Sequence, residues 1–259
     1  MGRRPTRGLG GKSEPVVSEL TGDGPPLILL HGLAGSARWW RHNVPVLSRS
    51  FRVAAIDLPG FGGSHRDARL VLDKAAGQLV ATMDRLGFER AHVVGHSMGG
   101  LVAGGLAADY PERVDRLVLV DAGFLSLDPS IIRRVTGPIA ALRWTAPSLL
   151  PVVLGDTLRS GPIRMAGATY QILQADWQAK LPLISAPTLV IWGEHDTICP
   201  PRIGREIIAR LPGSRLVVIR GAAHCPMWER PEVFDREVLA FLGGDALRHA
   251  GSSAPLSSQ

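Results

Sequence analysis

Ser97 sits in the run "HVVGHSMGG", flanked by Gly95 and Gly99 in a G-x-S-x-G pattern. An apolar run precedes it and a helical pattern follows, so the hydroxyl is placed on a sharp turn between a strand and a helix. The N-terminus of such a helix offers free backbone N–H groups and a positive dipole end to a developing anion. A serine hydroxyl is a poor nucleophile at neutral pH. It needs a base to take its proton and a carboxylate to orient that base. Downstream, "PTLVIWGEHDTICPP" places Asp196 just past an apolar run, and "LVVIRGAAHCPMWERPE" places His224 past the next one. Upstream, "LILLHGLAG" carries a glycine-rich turn through His31, Gly32, Leu33, Ala34 and Gly35. That turn can aim the Leu33 N–H at the same point as the Met98 N–H, which together would make an oxyanion hole. The chemistry implied is nucleophilic attack by Ser97 on a carbonyl, with His224 as base and Asp196 as its orienting acid.

These residues must be brought together by the elements between them. Short apolar runs at 27–30, 52–56, 91–94, 116–120, 188–192 and 215–219 read as strands, with 16–20 as an edge strand. Helical patterns alternate with them, which predicts an α/β fold, a doubly wound and mostly parallel sheet covered by helices on both faces. Leu72, Ala75, Ala76, Leu79, Val80, Met83 and Leu86 mark one helical face, and Gly87 ends that helix. A helix after Ser97 runs to Tyr110, where Pro111 stops it; another is marked by Ile203, Ile207, Ile208 and Leu211, and the last runs from Pro231 to Leu242. In a parallel sheet the carboxyl ends of the strands share one edge, and there Ser97, Asp196 and His224 can meet.

Residues 124–186 break the alternation: they are proline-rich and contain no strand-like run, too long a stretch for a connecting loop. They read as an inserted helical cap between two core segments, 14–123 and 187–243, with helices broken at Pro138, Pro147, Pro151 and Pro162. Residues 1–13 and 244–259 are expected to be disordered tails.

The segments "HGLAGSARWW", "AIDLPGFGGS", "VVGHSMGG", "VIWGEHD" and "GAAHCPMWERPEVF" resemble the capped members of the α/β-hydrolase family over roughly residues 25–243. The resemblance implies Ser97, His224 and Asp196 as the triad, and Leu33 and Met98 as oxyanion donors. It implies a serine esterase, with meta-cleavage-product C–C hydrolases and lactonases as alternatives, and no cofactor or metal. An arginine of the cap, Arg164 among others, would then be needed to hold an acidic C–C hydrolase substrate. Only one strand candidate precedes residue 27, so the antiparallel start of the sheet is expected to be reduced. A binding protein that retains the fold with little turnover is a reading of another class.

Asp121, past the run "RLVLV", rivals Asp196 as the acid. Asp57, His31 and His96 read as structural groups bonded to loop backbone. Trp39, Trp40, Trp192 and Trp228 read as core packing; Trp144, Met165 and Trp177 read as pocket walls, with packing of the cap as the alternative. Cys199 and Cys225 are expected to be reduced thiols, although neighbouring loops leave a disulfide open. The net charge of +6 comes from scattered arginines, without a basic helix or aromatic-rich sheet motif, which argues against nucleic acid as partner. A small molecule is the expected partner. No apolar run is long enough for a membrane span, and no secretory signal follows the basic "MGRRPTRGLGGKSE", so a cytoplasmic location is expected.

Overall fold

Aliphatic runs without polar alternation must be covered on both faces, and the central strands they form here are buried in that way, while the two edge strands are partly exposed. The computed structural model describes residues 15–65, 69–123, 145–175 and 177–243. Its strands are β1 (Val16–Thr21), β2 (Pro26–Leu30), β3 (Arg52–Asp57), β4 (Ala91–His96), β5 (Val114–Val120), β6 (Thr188–Gly193) and β7 (Arg215–Ile219). They form one sheet in the order β1-β3-β2-β4-β5-β6-β7. Among the described strands only β1 runs antiparallel, against β3, so the antiparallel start is as short as the sequence implies. The chain steps outward from β2 to β3 and then returns to place β4 on the other side of β2. That reversal opens a crevice beyond the carboxyl ends of β2 and β4, where an open α/β sheet takes its ligand.

The helices are α1 (Val44–Leu47), α2 (Leu72–Leu86), α3 (Met98–Asp109), α4 (Leu150–Ser160), α5 (Pro162–Gln174), α6 (Pro201–Arg210), α7 (Pro226–Glu229) and α8 (Pro231–Leu242). One face of the sheet packs Ile28, Val93, Leu117 and Val190 against α2, α3 and α6 through Leu79, Leu101 and Ile203. The other packs Leu27, Val94, Val118 and Leu189 against α1 and α8 through Leu47, Phe234 and Val238. Trp39, Trp40, Trp192 and Trp228 are all buried in these two clusters, as expected of core residues. Gly87 ends α2 in the left-handed region at φ 69°.

α3 is buried on nearly every side, and its glycines are there for close approach rather than for helix propensity. A Cβ on Gly99 would lie 2.5 Å from the carbonyl oxygens of both Leu30 and His31. This contact seats the start of α3 directly on the end of β2.

α4 and α5 fall within 124–186, with Pro151 and Pro162 in their first turns, where proline fits a helix best. Pro138 and Trp144, like the two tails, lie outside the described residues. α5 is tied to the core by Gln171, whose side chain accepts from the Leu72 N–H at 2.8 Å and donates to the Leu70 carbonyl at 2.8 Å. α4 is tied by Asp156, a fully buried carboxylate that accepts from the Ser36 hydroxyl at 2.7 Å and from the Arg38 guanidinium.

Candidate active site

Ser97 links β4 to α3 with φ 51° and ψ −116°, a left-handed backbone that a side-chain-bearing residue adopts only at a cost of about 1–3 kcal/mol. The strain is held by packing: Ser97 N–H donates to the Val120 carbonyl at 2.9 Å, and a Cβ on Gly95 would lie 2.3 Å from the Gly99 carbonyl. The side chain that this turn lifts from the sheet meets the imidazole of His224, whose Nε2 lies 3.1 Å from Ser97 Oγ. On the other side of the ring, Nδ1 lies 2.8 Å from Asp196 Oδ2. Asp196 is fixed in turn by the Ile198 and Cys199 N–H groups, which donate to its Oδ1 at 2.8 and 2.9 Å. Three segments more than a hundred residues apart in sequence at their extremes therefore make one continuous hydrogen-bonded chain.

The loop that carries His224 is pressed against the end of β6. A Cβ on Gly193 would fall 1.8 Å from the Ala223 carbonyl, so only glycine permits this approach. Glu229, at the end of α7, accepts the Ala223 N–H on Oε2 at 2.5 Å. His96 Nε2 donates to the His224 carbonyl at 2.6 Å. Burial and the neighbouring His224 hold the His96 imidazole well below its ordinary pKa, consistent with a neutral ring serving as a structural donor. For His224 itself, burial alone lowers the pKa. The Asp196 charge and hydrogen bond, together with the Glu229 charge, outweigh it and leave His224 raised.

The loop after β2 closes the site from the other side. His31 accepts the Leu58 N–H on Nε2 at 3.0 Å and bonds the Gly32 carbonyl through Nδ1 at 2.8 Å, the backbone-anchoring role the sequence suggests. Gly35 N–H donates to the Gly32 carbonyl at 3.0 Å, and Ala34 takes φ 61° to complete the turn. A Cβ on Gly32 would lie 3.0 Å from the Ser97 Cβ, so the loop reaches the Ser97 side chain, with Leu33 next in sequence. The Met98 N–H opens α3 and has no carbonyl one turn before it within the helix. Asp57 holds the next loop, accepting the Ala37 and Gly63 N–H groups at 2.6 and 2.7 Å and the Ser18 hydroxyl.

Asp121, the rival acid, does not contact the imidazole. It ends β5 fully buried at φ 42°, and its Oδ1 accepts the Gly193 N–H at 2.9 Å. Burial, then the charge of Asp196, pushes its carboxyl well above the usual range, which favours a neutral group bracing β5 against β6. Cys199 and Cys225 are both free and buried, so the disulfide left open by the sequence does not form. Trp177, read from the sequence as a pocket wall or as packing, packs over Gly105 of α3, where a Cβ would lie 3.2 Å from its ring. Gly105 is about 12 Å along the helix from Ser97. That position fills the seam between 145–186 and the core. Met165 is half-buried against the same cluster. Glu229 and the Ser36–Arg38–Asp156 contact have no local sequence signal and are visible only in three dimensions.

The sequence signature of the alpha/beta hydrolase fold matches residues 25–145 and 159–231, well over half of the chain. The protein belongs to the α/β-hydrolase family. This α/β-hydrolase is 30% identical to a 2-hydroxy-6-oxononadienedioate/2-hydroxy-6-oxononatrienedioate hydrolase of Comamonas testosteroni, over 85% of the chain and 88% of the relative. Among solved structures it resembles a hydrolase from Pseudomonas aeruginosa PA01, with TM-score 0.74 and 31% identity, over 87% of this chain and 93% of that one. A thermophilic esterase from Thermogutta terrifontis also has TM-score 0.74, at 27% identity, over 86% of this chain and 91% of that one. No described helix of this α/β-hydrolase is long and apolar enough to cross a membrane.

Proposed function

We propose that this α/β-hydrolase is a cofactor-independent serine hydrolase that cleaves a small, largely apolar carboxylic ester through an acyl-enzyme. The observation that carries the reading is the chain Ser97 Oγ to His224 Nε2 at 3.1 Å and His224 Nδ1 to Asp196 Oδ2 at 2.8 Å. His224 takes the Ser97 proton as Oγ attacks the ester carbonyl, and Asp196 stabilises the imidazolium that forms. The Leu33 and Met98 N–H groups hold the oxyanion. His224 then gives its proton to the departing alkoxide, leaving Ser97 acylated. Water, deprotonated by the same imidazole, releases the acid and restores Ser97. Residues 124–186 act as the cap, with Met165, and Trp144 outside the described residues, as walls of the substrate pocket.

A second reading, C–C bond hydrolysis of an acidic ketone, draws on the Comamonas relative and on Arg164 of α5. The Nε of Arg164 is buried with no hydrogen-bond partner, beside Arg69 in a cleft of about 50 Å³. The unpartnered Arg164 Nε suits a carboxylate.

The test is a panel of short p-nitrophenyl esters, a lactone and a vinylogous diketone, run with wild type and Ser97→Ala. Ester turnover that falls on the order of 10⁴-fold or more in Ser97→Ala, with loss of fluorophosphonate labelling, is the expected result. Undiminished turnover in Ser97→Ala refutes the mechanism. A diketone cleaved far faster than any ester transfers the assignment to the second reading, and ligand binding without turnover transfers it to a binding protein.

A further inference from the structure

Asp196, Cys199 and His224 each place one potential ligand atom, a carboxylate oxygen, a thiol sulfur and an imidazole nitrogen, within 4.8 Å of the others. We propose that these three residues form an inhibitory site for a thiophilic divalent cation of the Zn²⁺ type. Bonds of about 2.0–2.3 Å in a tetrahedral site set such ligand atoms about 3.3–3.8 Å apart. Seating a cation among them therefore requires shifts on the order of 1 Å, including a parting of the His224 Nδ1–Asp196 Oδ2 pair, now 2.8 Å apart, within reach of small side-chain rotations. The donor set of one thiolate, one imidazole and one carboxylate selects a borderline-soft ion over Mg²⁺ or Ca²⁺. The site also carries negative charge: the Asp196 carboxylate lies within it, and the Glu229 charge bears on His224. Burial first, and then the charge of Asp196, keep the Cys199 thiol protonated in the metal-free protein. A bound dication reverses that balance, because the ligand is the thiolate.

The protons balance. Cys199 Sγ–H loses one proton to solvent as the S–metal bond forms. Asp196 binds as the carboxylate, so the metal, thiolate and carboxylate sum to zero. His224 Nδ1, the nitrogen facing Asp196, becomes a ligand, and the single proton of the neutral ring moves to Nε2. Nε2 is the position that must be bare to accept the Ser97 proton, so the same coordination that occupies Asp196 also removes the base. The fourth position is open to water. The side chain of His224 is 16% exposed, while that of Asp196 is fully covered, so solvent reaches the cluster at His224 rather than at the carboxylate.

The inhibitory half of this proposal rests on the triad reading, and the metal site itself does not. The experiment therefore reads both. Metal-free full-length protein is titrated with Co²⁺, following the thiolate-to-cobalt absorption in the near ultraviolet, and Zn²⁺ is titrated into the p-nitrophenyl ester assay. Wild type is expected to give the band at one equivalent and to lose activity with Zn²⁺. Cys199→Ala is expected to lose the band and to need at least tenfold more Zn²⁺ for the same fractional inhibition, each variant being normalised to its own metal-free rate. Cys225→Ala is expected to keep the band. Absence of the band in wild type, its persistence in Cys199→Ala, or equal Zn²⁺ sensitivity in that variant overturns the proposal. If the alanine variant does not fold, Cys199→Ser takes its place with the same expected and refuting results. A protein that hydrolyses no ester yet shows the Cys199-dependent band retains the metal site and refutes only the hydrolase reading.

Discussion

Asp235 of α8 offers a stability experiment whose sign and size follow from the structure. The residue is buried, and its Oδ1 accepts from Asn43 Nδ2 at 2.8 Å. Burial raises its carboxyl from the ordinary 3.8 to about 6, with the Asn43 hydrogen bond pulling partly the other way. A carboxyl raised in the folded state binds a proton that the unfolded chain has already released. Its contribution is thus fully present below pH 3.8 and is lost as pH rises through about 6. At 1.36 kcal/mol per pH unit, the interval from 3.8 to about 6 corresponds to about 3 kcal/mol. Asp235 borders a surface groove shared with His42, Val46 and Arg236, and solvent screening there reduces the expected loss to about 1–2 kcal/mol. Asp235→Asn carries no titrating proton, and its amide oxygen can keep the hydrogen bond from Asn43 Nδ2. The variant should therefore gain about 1–2 kcal/mol over wild type at pH 8, or about 3–6 °C in Tm, and little at pH 4. Glu229 and Asp121 are raised in the same direction, so only the difference between wild type and variant isolates Asp235. Urea unfolding at pH 4, 6 and 8 measures it. Parallel pH dependence in the two proteins would refute the reasoning.

Three further outcomes are expected. Glu229→Gln keeps an acceptor for the Ala223 N–H but removes a charge that raises His224, so the acidic limb of kcat/KM should move to lower pH; an unmoved limb would place Glu229 outside the electrostatics of the base. Gly99→Ala drives a methyl into the Leu30 and His31 carbonyls and should cost about 1–3 kcal/mol in chemical denaturation, with loss of ester turnover as the start of α3 shifts. Arg38→Ala leaves the buried Asp156 with the Ser36 hydroxyl and a guanidinium 3.6 Å away on Arg159, and should lower stability by about 1–3 kcal/mol, read by thermal melts.

The strands and the residues at their carboxyl ends are legible in the sequence because their signal is local. "LILL", "VVGH" and "LVIWG" are short apolar runs ending in or running into glycine or histidine, and a parallel sheet has few other ways to cover them. Once the sheet is parallel, Ser97, Asp196 and His224 are directed to one edge by topology alone. Asp196 and Asp121 differ less in sequence. Both follow a strand, and only the turn that aims Asp196 Oδ2 at Nδ1 while Asp121 Oδ1 takes the Gly193 N–H separates them. Glu229 reads as an ordinary acid near a helix start; its contact with the histidine loop depends on how α7 folds back. Trp177 illustrates the same limit. A tryptophan in the cap can face ligand or core, and the absent side chain of Gly105, seventy-two residues earlier, decides for the core. Asp156 has its partners at Ser36 and Arg38, a pairing that no periodicity encodes.

That last pairing has a consequence for how such enzymes can be recombined. Ser36 and Arg38 belong to the same stretch of chain as Leu33, so α4 and the segment proposed to cradle the oxyanion share one fastening. A segment grafted in place of α4 would have to bring an acid to the place of Asp156, or leave the buried Ser36 hydroxyl without that partner. The core thereby favours, among replacements for α4, those that carry this one anion.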